Sequence, residues 1–139
     1  MAKNTIVRLN KDGPEDTGLT SWQWPYPASG DVESEKLIEG DPVEIGYNYF
    51  SNHTGQLTAG VWECTPYTSQ IDSYPVDEFC YILSGKVVIT DAHGRAETFK
   101  AGECFVIPKG LKCTWHMPET VRKFYVLFED KGGAQQAAE

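Results

Sequence analysis

From about residue 37 onward, apolar and β-branched residues come in short runs separated by breaks rich in Gly, Pro, Asn and Asp. This is the pattern of strands joined by turns. Runs fall at 43–50, at 57–65 before Pro66, at 78–83 and 86–90 on either side of Ser84-Gly85, and at 95–99, 104–107 and 121–128. The stretch 111–117 alternates, with Leu111, Cys113, Trp115 and Met117 on one face and Lys112, Thr114 and His116 on the other. A period of two is that of a strand with one buried side. Asn52-His53-Thr54-Gly55, Asp91-Ala92-His93-Gly94 and Pro108-Lys109-Gly110 supply turn chemistry. No segment carries a sustained helical period. About eight short strands at this spacing predict an all-β jelly roll or closed barrel.

Residues 1–35 read differently. Asp12-Gly13-Pro14, Pro25, Pro27 and Ser29-Gly30-Asp31 break the chain repeatedly, which predicts an irregular N-terminal arm. Trp22, Trp24 and Tyr26 interrupt its polarity, so the arm is expected to lie along the barrel or a partner subunit. The run Gly-Gly-Ala-Gln-Gln-Ala-Ala near the C-terminus is expected to be disordered. With 139 residues, the organisation predicted is an arm over 1–35, one barrel over 36–130 and a tail over 131–139. A domain of this size buries roughly two-thirds of its unfolded surface and needs no disulfide or metal to fold.

A net charge of −8 without any basic stripe argues against nucleic acid and anionic membrane surfaces as partners. The first eighteen residues hold no apolar run, and no stretch approaches a membrane span. A cytoplasmic location is therefore expected. Cys64, Cys80, Cys104 and Cys113 are too far apart for a CxxC pair and are expected to be free thiols, with Cys104 buried as a small apolar residue.

Two spaced motifs in 60–128 carry a resemblance. Glu78 stands seven positions before Gly85, and Gly102, Pro108 and Gly110 are followed by Cys113. With Gly60-Val61-Trp62-Glu63-Cys64, the run from Asp77 to Gly85, Pro108-Lys109-Gly110-Leu111 and Val121-Arg122-Lys123-Phe124-Tyr125, they resemble the cupin superfamily. The small single-domain branch of ethanolamine-utilisation and ureidoglycine aminohydrolase-like proteins is the most similar. The resemblance implies a double-stranded β-helix, that is, a jelly-roll barrel, and a homodimer. It also exposes a departure. The two motif histidines fall on Asp72 and Tyr74, or on Ile71 and Ser73, and the third on Cys113. His53, His93 and His116 lie off these positions and are expected at the surface.

If Glu78 points inward, as its family position implies, alternation sends Cys80 and Ile82 inward too. Lys123 and Tyr125 are favoured inward on the last strand, with Phe124 outside, and Trp62 adds a wall. The resulting candidates are Glu78, Cys113 and Tyr74 for chemistry, and Cys80, Trp115, Lys123, Tyr125 and Trp62 for ligand contact. Glu78 reads either as a ligand anchor or general acid/base, or as a carboxylate that merely organises the core through Lys123 or Tyr74. Glu78 and Cys113, with Asp72, would be the ligands of any divalent metal such as Zn, Mn, Fe or Ni. The leading expectation is a small-molecule-binding protein. A metal-dependent enzyme acting on a nitrogenous metabolite is the alternative, and a non-catalytic accessory subunit a second one.

Overall fold

A computed structural model describes residues 5–22 and 35–131. Trp24, Tyr26, Pro25 and Pro27 of the arm lie outside the described residues, as does the expected disorder of 132–139. Among the described residues there are eleven strands and no helix. They are β1 (Thr20–Ser21), β2 (Glu35–Gly40), β3 (Glu44–Ser51), β4 (Leu57–Cys64), β5 (Tyr67–Ile71) and β6 (Asp77–Ser84). The chain continues through β7 (Lys86–Asp91), β8 (Ala96–Lys100), β9 (Cys104–Ile107), β10 (Cys113–Met117) and β11 (Val121–Phe128).

The strands form two antiparallel sheets, in the orders β1-β3-β4-β11-β6-β9 and β2-β5-β10-β7-β8, the jelly-roll arrangement. Pairing of chain-distant strands such as β4 with β11 and β5 with β10 fixes the barrel. The alternation seen in the sequence becomes the two faces of each strand. In β11 Val121, Lys123, Tyr125 and Leu127 are buried while the residues between them are only half-covered. In β6 Glu78, Cys80 and Ile82 are buried, and Phe79 and Tyr81 are exposed. The inner faces of both sheets meet in one core that includes Trp62, Ile82, Val87, Trp115 and Leu127.

Three strands were not resolved in the sequence pattern. β5 is one of them: Thr68, Ser69 and Gln70 mask its period, yet it is an interior strand of the second sheet, between β2 and β10. The arm is not wholly irregular, because Thr20 and Ser21 pair with Gly46 and Ile45 of β3. Cys104 departs from expectation and is exposed. It lies on β9, an edge strand, where Ile107 takes the buried face and Cys104 and Val106 the outer one.

Two glycines set the geometry near the interior. Gly85, with φ of 80°, turns β6 into β7 in a left-handed conformation that other residues adopt at a cost. Gly60 allows close approach: a methyl there would stand 2.5 Å from the Tyr125 hydroxyl and against the Tyr47 carbonyl. Gly60→Ala is expected to destabilise the fold by about 1–3 kcal/mol through overpacking, read as a lower urea midpoint at unchanged slope. An unaltered midpoint would mean that Tyr125 gives way freely.

Candidate functional site

A cavity of about 280 Å³ opens between the inner faces of the two sheets. Among the described residues six aromatic rings line it: Trp22, Trp62, Tyr67, Tyr74, Trp115 and Tyr125. Register explains the gathering. In the first sheet Gly46, Trp62, Lys123 and Ile82 share one rung, and Asn48, Gly60, Tyr125 and Cys80 another. In the second, Leu37, Ser69, Trp115 and Ile89 lie side by side. Trp22 follows β1 and lies over Gly46, whose missing side chain leaves room for the indole. Its ring meets Tyr125 edge-on at 5.3 Å.

Four side chains form a buried polar network at one end. Lys123 Nζ lies 2.8 Å from Glu78 Oε2, and both side chains are almost fully buried. Cys80 Sγ donates to the same oxygen at 3.3 Å, and Lys123 also donates to Cys80 at 3.4 Å. The Tyr74 hydroxyl donates to Glu78 Oε1. Glu78 sits opposite Leu127, four residues along β11 from Lys123, a separation of about 13 Å between backbones. The two long side chains close that gap by lying over Cys80. The Lys123 ammonium also rests on two indole faces, 4.7 Å from the Trp62 ring and 4.9 Å from Trp115, an arrangement that cation–π attraction favours.

The environment fixes the protonation states. Burial pushes the Tyr74 hydroxyl well above its ordinary range, and the neighbouring Glu78 charge adds to it. The Cys80 thiol is driven up by burial and by Glu78, with Lys123 pulling the other way. For Lys123, burial favours the neutral amine, but it is outweighed and the group is held above the usual lysine value. Cys80 as an anion would contribute to that rise, yet Cys80 stays a thiol; the Glu78 carboxylate is the partner that keeps Lys123 charged.

The rest of the wall carries acid. Glu44 Oε1 accepts from Trp62 Nε1 at 2.7 Å, and Glu35 Oε2 accepts from the Ser69 hydroxyl at 2.7 Å. Among the described residues neither is within salt-bridge distance of a cation. Glu35 and Leu37 are exposed and mark the mouth. Tyr125 donates to Asn48 at 2.6 Å. The buried indole N–H of Trp115 has no acceptor among the described residues.

The residues singled out from the sequence divide by depth. Glu78, Tyr74, Trp115, Lys123, Tyr125 and Trp62 all line the cavity. Cys80 lies behind it, inside the network, and Cys113 is buried off the wall. Cys113 shares a rung with Ile71 and Glu35 but stands one strand further over. Burial, with Glu35 adding, pushes its thiol to about 11, so it is no nucleophile near neutral pH. Trp22, Glu35, Glu44, Tyr67 and Ser69 line the cavity without having been singled out for the site. His53 and His93 are exposed, and half-buried His116 shares a hydrogen bond with Thr68 through Nδ1.

A metal shell of Glu78, Cys113 and Asp72 does not fit this geometry. Both oxygens of Glu78 are engaged, Cys113 is off the wall, and Asp72 is exposed. Among the described residues no three His, Cys, Asp or Glu side chains gather where they could hold a metal ion.

Comparison with known proteins extends the picture. Residues 52–125 match the family model of the EutQ-like cupin domain. A Clostridioides difficile protein named acetate kinase EutQ is 28% identical over 116 residues, which are 81% of this chain and 71% of that protein. A crystal structure from Pseudomonas syringae pv. tomato, a protein of unknown function of the DUF861 family, superposes with a TM-score of 0.67 at 26% identity. The match takes in 86% of this chain but 46% of that one, so this chain spans less than half its length. The Clostridium difficile EutQ structure superposes with a TM-score of 0.54 at 26% identity, over 66% of this chain and 71% of that one.

Two outcomes follow from these buried groups. Lys123→Met strands a buried carboxylate and is expected to cost about 3–5 kcal/mol, whereas Lys123→Met with Glu78→Gln recovers most of that loss. Denaturation of the two variants measures this, and equal losses would show that the pair is not coupled. The second concerns pH. Cys64, Cys113, Cys80 and Tyr74 all bind their protons more tightly folded than unfolded; burial lifts Cys64 from 9.0 to about 12 and Cys113 to about 11. Their raised values give stability that is whole below pH 9 and drains away as pH climbs through the folded values. The urea midpoint should fall between pH 9 and 11 while thiolate absorbance lags behind that of free cysteine. A constant midpoint over that range would contradict it.

Proposed function

The chain belongs to the EutQ-like cupin family, and on that premise we propose that it binds a compact small molecule in the aromatic cavity above the Glu78–Lys123 pair. The observation that carries the reading is the cavity itself, about 280 Å³ of space walled by six aromatic rings and floored by a charged pair. That volume stands at the lower end of ligand pockets, and apolar walls with a few fixed polar groups are their usual composition. Glu78 and Lys123 are satisfied by each other, so they shape the floor and present a fixed dipole instead of a free charge.

Binding is favoured over catalysis by the same network. Tyr74 and Cys80 stay protonated and Lys123 stays charged at neutral pH, so none of the three serves as a nucleophile there. The name of the Clostridioides difficile relative, acetate kinase, suggests a small carboxylate as an alternative ligand. Glu35 and Glu44 on the wall weigh against it.

The proposal includes a homodimer and a cytoplasmic location. Phe79, Tyr81 and Val106, on the outer face of β6 and β9, are 38–64% exposed, a surface that a second copy would cover. Among the described residues no helix is long and apolar enough to cross a membrane. Size-exclusion chromatography with light scattering should give twice the chain mass of 15.5 kDa, and a single-chain mass would remove the dimer.

Thermal shift and tryptophan fluorescence across a library of small metabolites test the site. Ligands that raise the melting temperature should do so in the native protein and fail in Ser69→Phe, which fills the cavity, and in Leu37→Trp, which narrows its exposed mouth. Ligands that bind both variants as tightly as the native protein would disprove the location.

A further inference from the structure

We infer that the ligand of this cavity is a small organic ammonium ion. The inference rests on the cavity being a binding site and adds the charge and class of what enters. Its first support is a charge count on the wall. Among the described residues Glu35, Glu44 and Glu78 face one cation, Lys123, and that cation is committed to Glu78 at 2.8 Å. Two carboxylates remain, each using one oxygen for a hydrogen bond to Ser69 or Trp62 and keeping the other. An incoming cation would balance them, and a carboxylate or phosphate would meet repulsion.

The second support is independent of charge count. The cavity already demonstrates how it receives an ammonium group, because Lys123 lies on the Trp62 and Trp115 faces at 4.7 and 4.9 Å. Trp22, Tyr67 and Tyr125 provide further π surface on the same wall, and aromatic walls joined to carboxylates are how proteins select ammonium ligands over neutral molecules of equal shape.

The test uses choline, its uncharged isostere 3,3-dimethylbutan-1-ol and the anion 3,3-dimethylbutyrate, titrated into the full chain at constant ionic strength with tryptophan fluorescence and calorimetry as readouts. Choline is expected to bind at least about tenfold more tightly than the alcohol, the anion more weakly still, and Ser69→Phe should abolish the choline signal. Glu35→Gln with Glu44→Gln should remove the preference for choline over the alcohol; both substitutions keep an oxygen able to accept the existing hydrogen bonds. If the alcohol or the anion binds as tightly as choline, and Ser69→Phe blocks it, the cation inference is overturned while the binding site stands. If choline binding is indifferent to Ser69→Phe and to both glutamine substitutions, the cation inference falls as well. Silence from all three compounds also overturns it. The metabolite library then decides the binding reading separately.

Discussion

The interior of this barrel is organised by one buried ion pair, Glu78 with Lys123. Two opposite charges taken out of water are each costly alone and tolerable together only when their remaining hydrogen-bonding capacity is met. Tyr74 and Cys80 do that for the carboxylate, and two indole faces do it for the ammonium. The pair joins β6 to β11 at the side-chain level, in addition to their backbone ladder. It also determines which surfaces around the cavity are neutral and which are not. With the one lysine among the described wall residues bound to its glutamate, the acid of Glu35 and Glu44 dominates what a visitor meets.

Much of the barrel was legible because its strands obey a period of two. Residues 78–83, 104–107 and 121–128 announced themselves as short apolar runs and 111–117 by alternation, and the two-residue period favoured Lys123 and Tyr125 inside with Phe124 outside. What alternation gives is a face, not a position across the sheet. Cys113 has the inward face and still misses the cavity, because the rung it occupies reaches the wall two strands earlier, through Glu35, and one strand earlier, through Ile71. Cys104 shows the complementary failure: at an edge strand, an apolar sequence no longer guarantees cover.

The wall residues that escaped notice have a common cause. Ser69 sits in a polar strand whose pattern resembles a loop, and Glu35 borders a segment read as irregular. Glu44 lies in a strand recognised as such, but a single acid next to β-branched residues carries no signal of its own. Trp22 was recognised as an aromatic needing a surface, without any indication that the surface was Gly46 and the Tyr125 ring. A pocket assembled from several distant strands leaves little trace in any local window. The motif spacing pointed to Asp72, Tyr74, Glu78 and Cys113, and of these four Tyr74 and Glu78 line the cavity.

The junction of Arg122 and Lys123 has one further meaning. A register shift of β11 against β6 falls between these two residues. Arg122 faces outward to Glu63 and Asp12, tying down the start of the chain, and Lys123 faces inward to Glu78. Neighbouring cations thus serve opposite sides of one strand, and their duties cannot be exchanged, since a guanidinium is bulkier and never gives up its proton. Lengthening or shortening this strand by a single codon would turn the wrong cation inward. This stretch should therefore be among the least forgiving of indels in the whole chain, even though half of its side chains touch solvent.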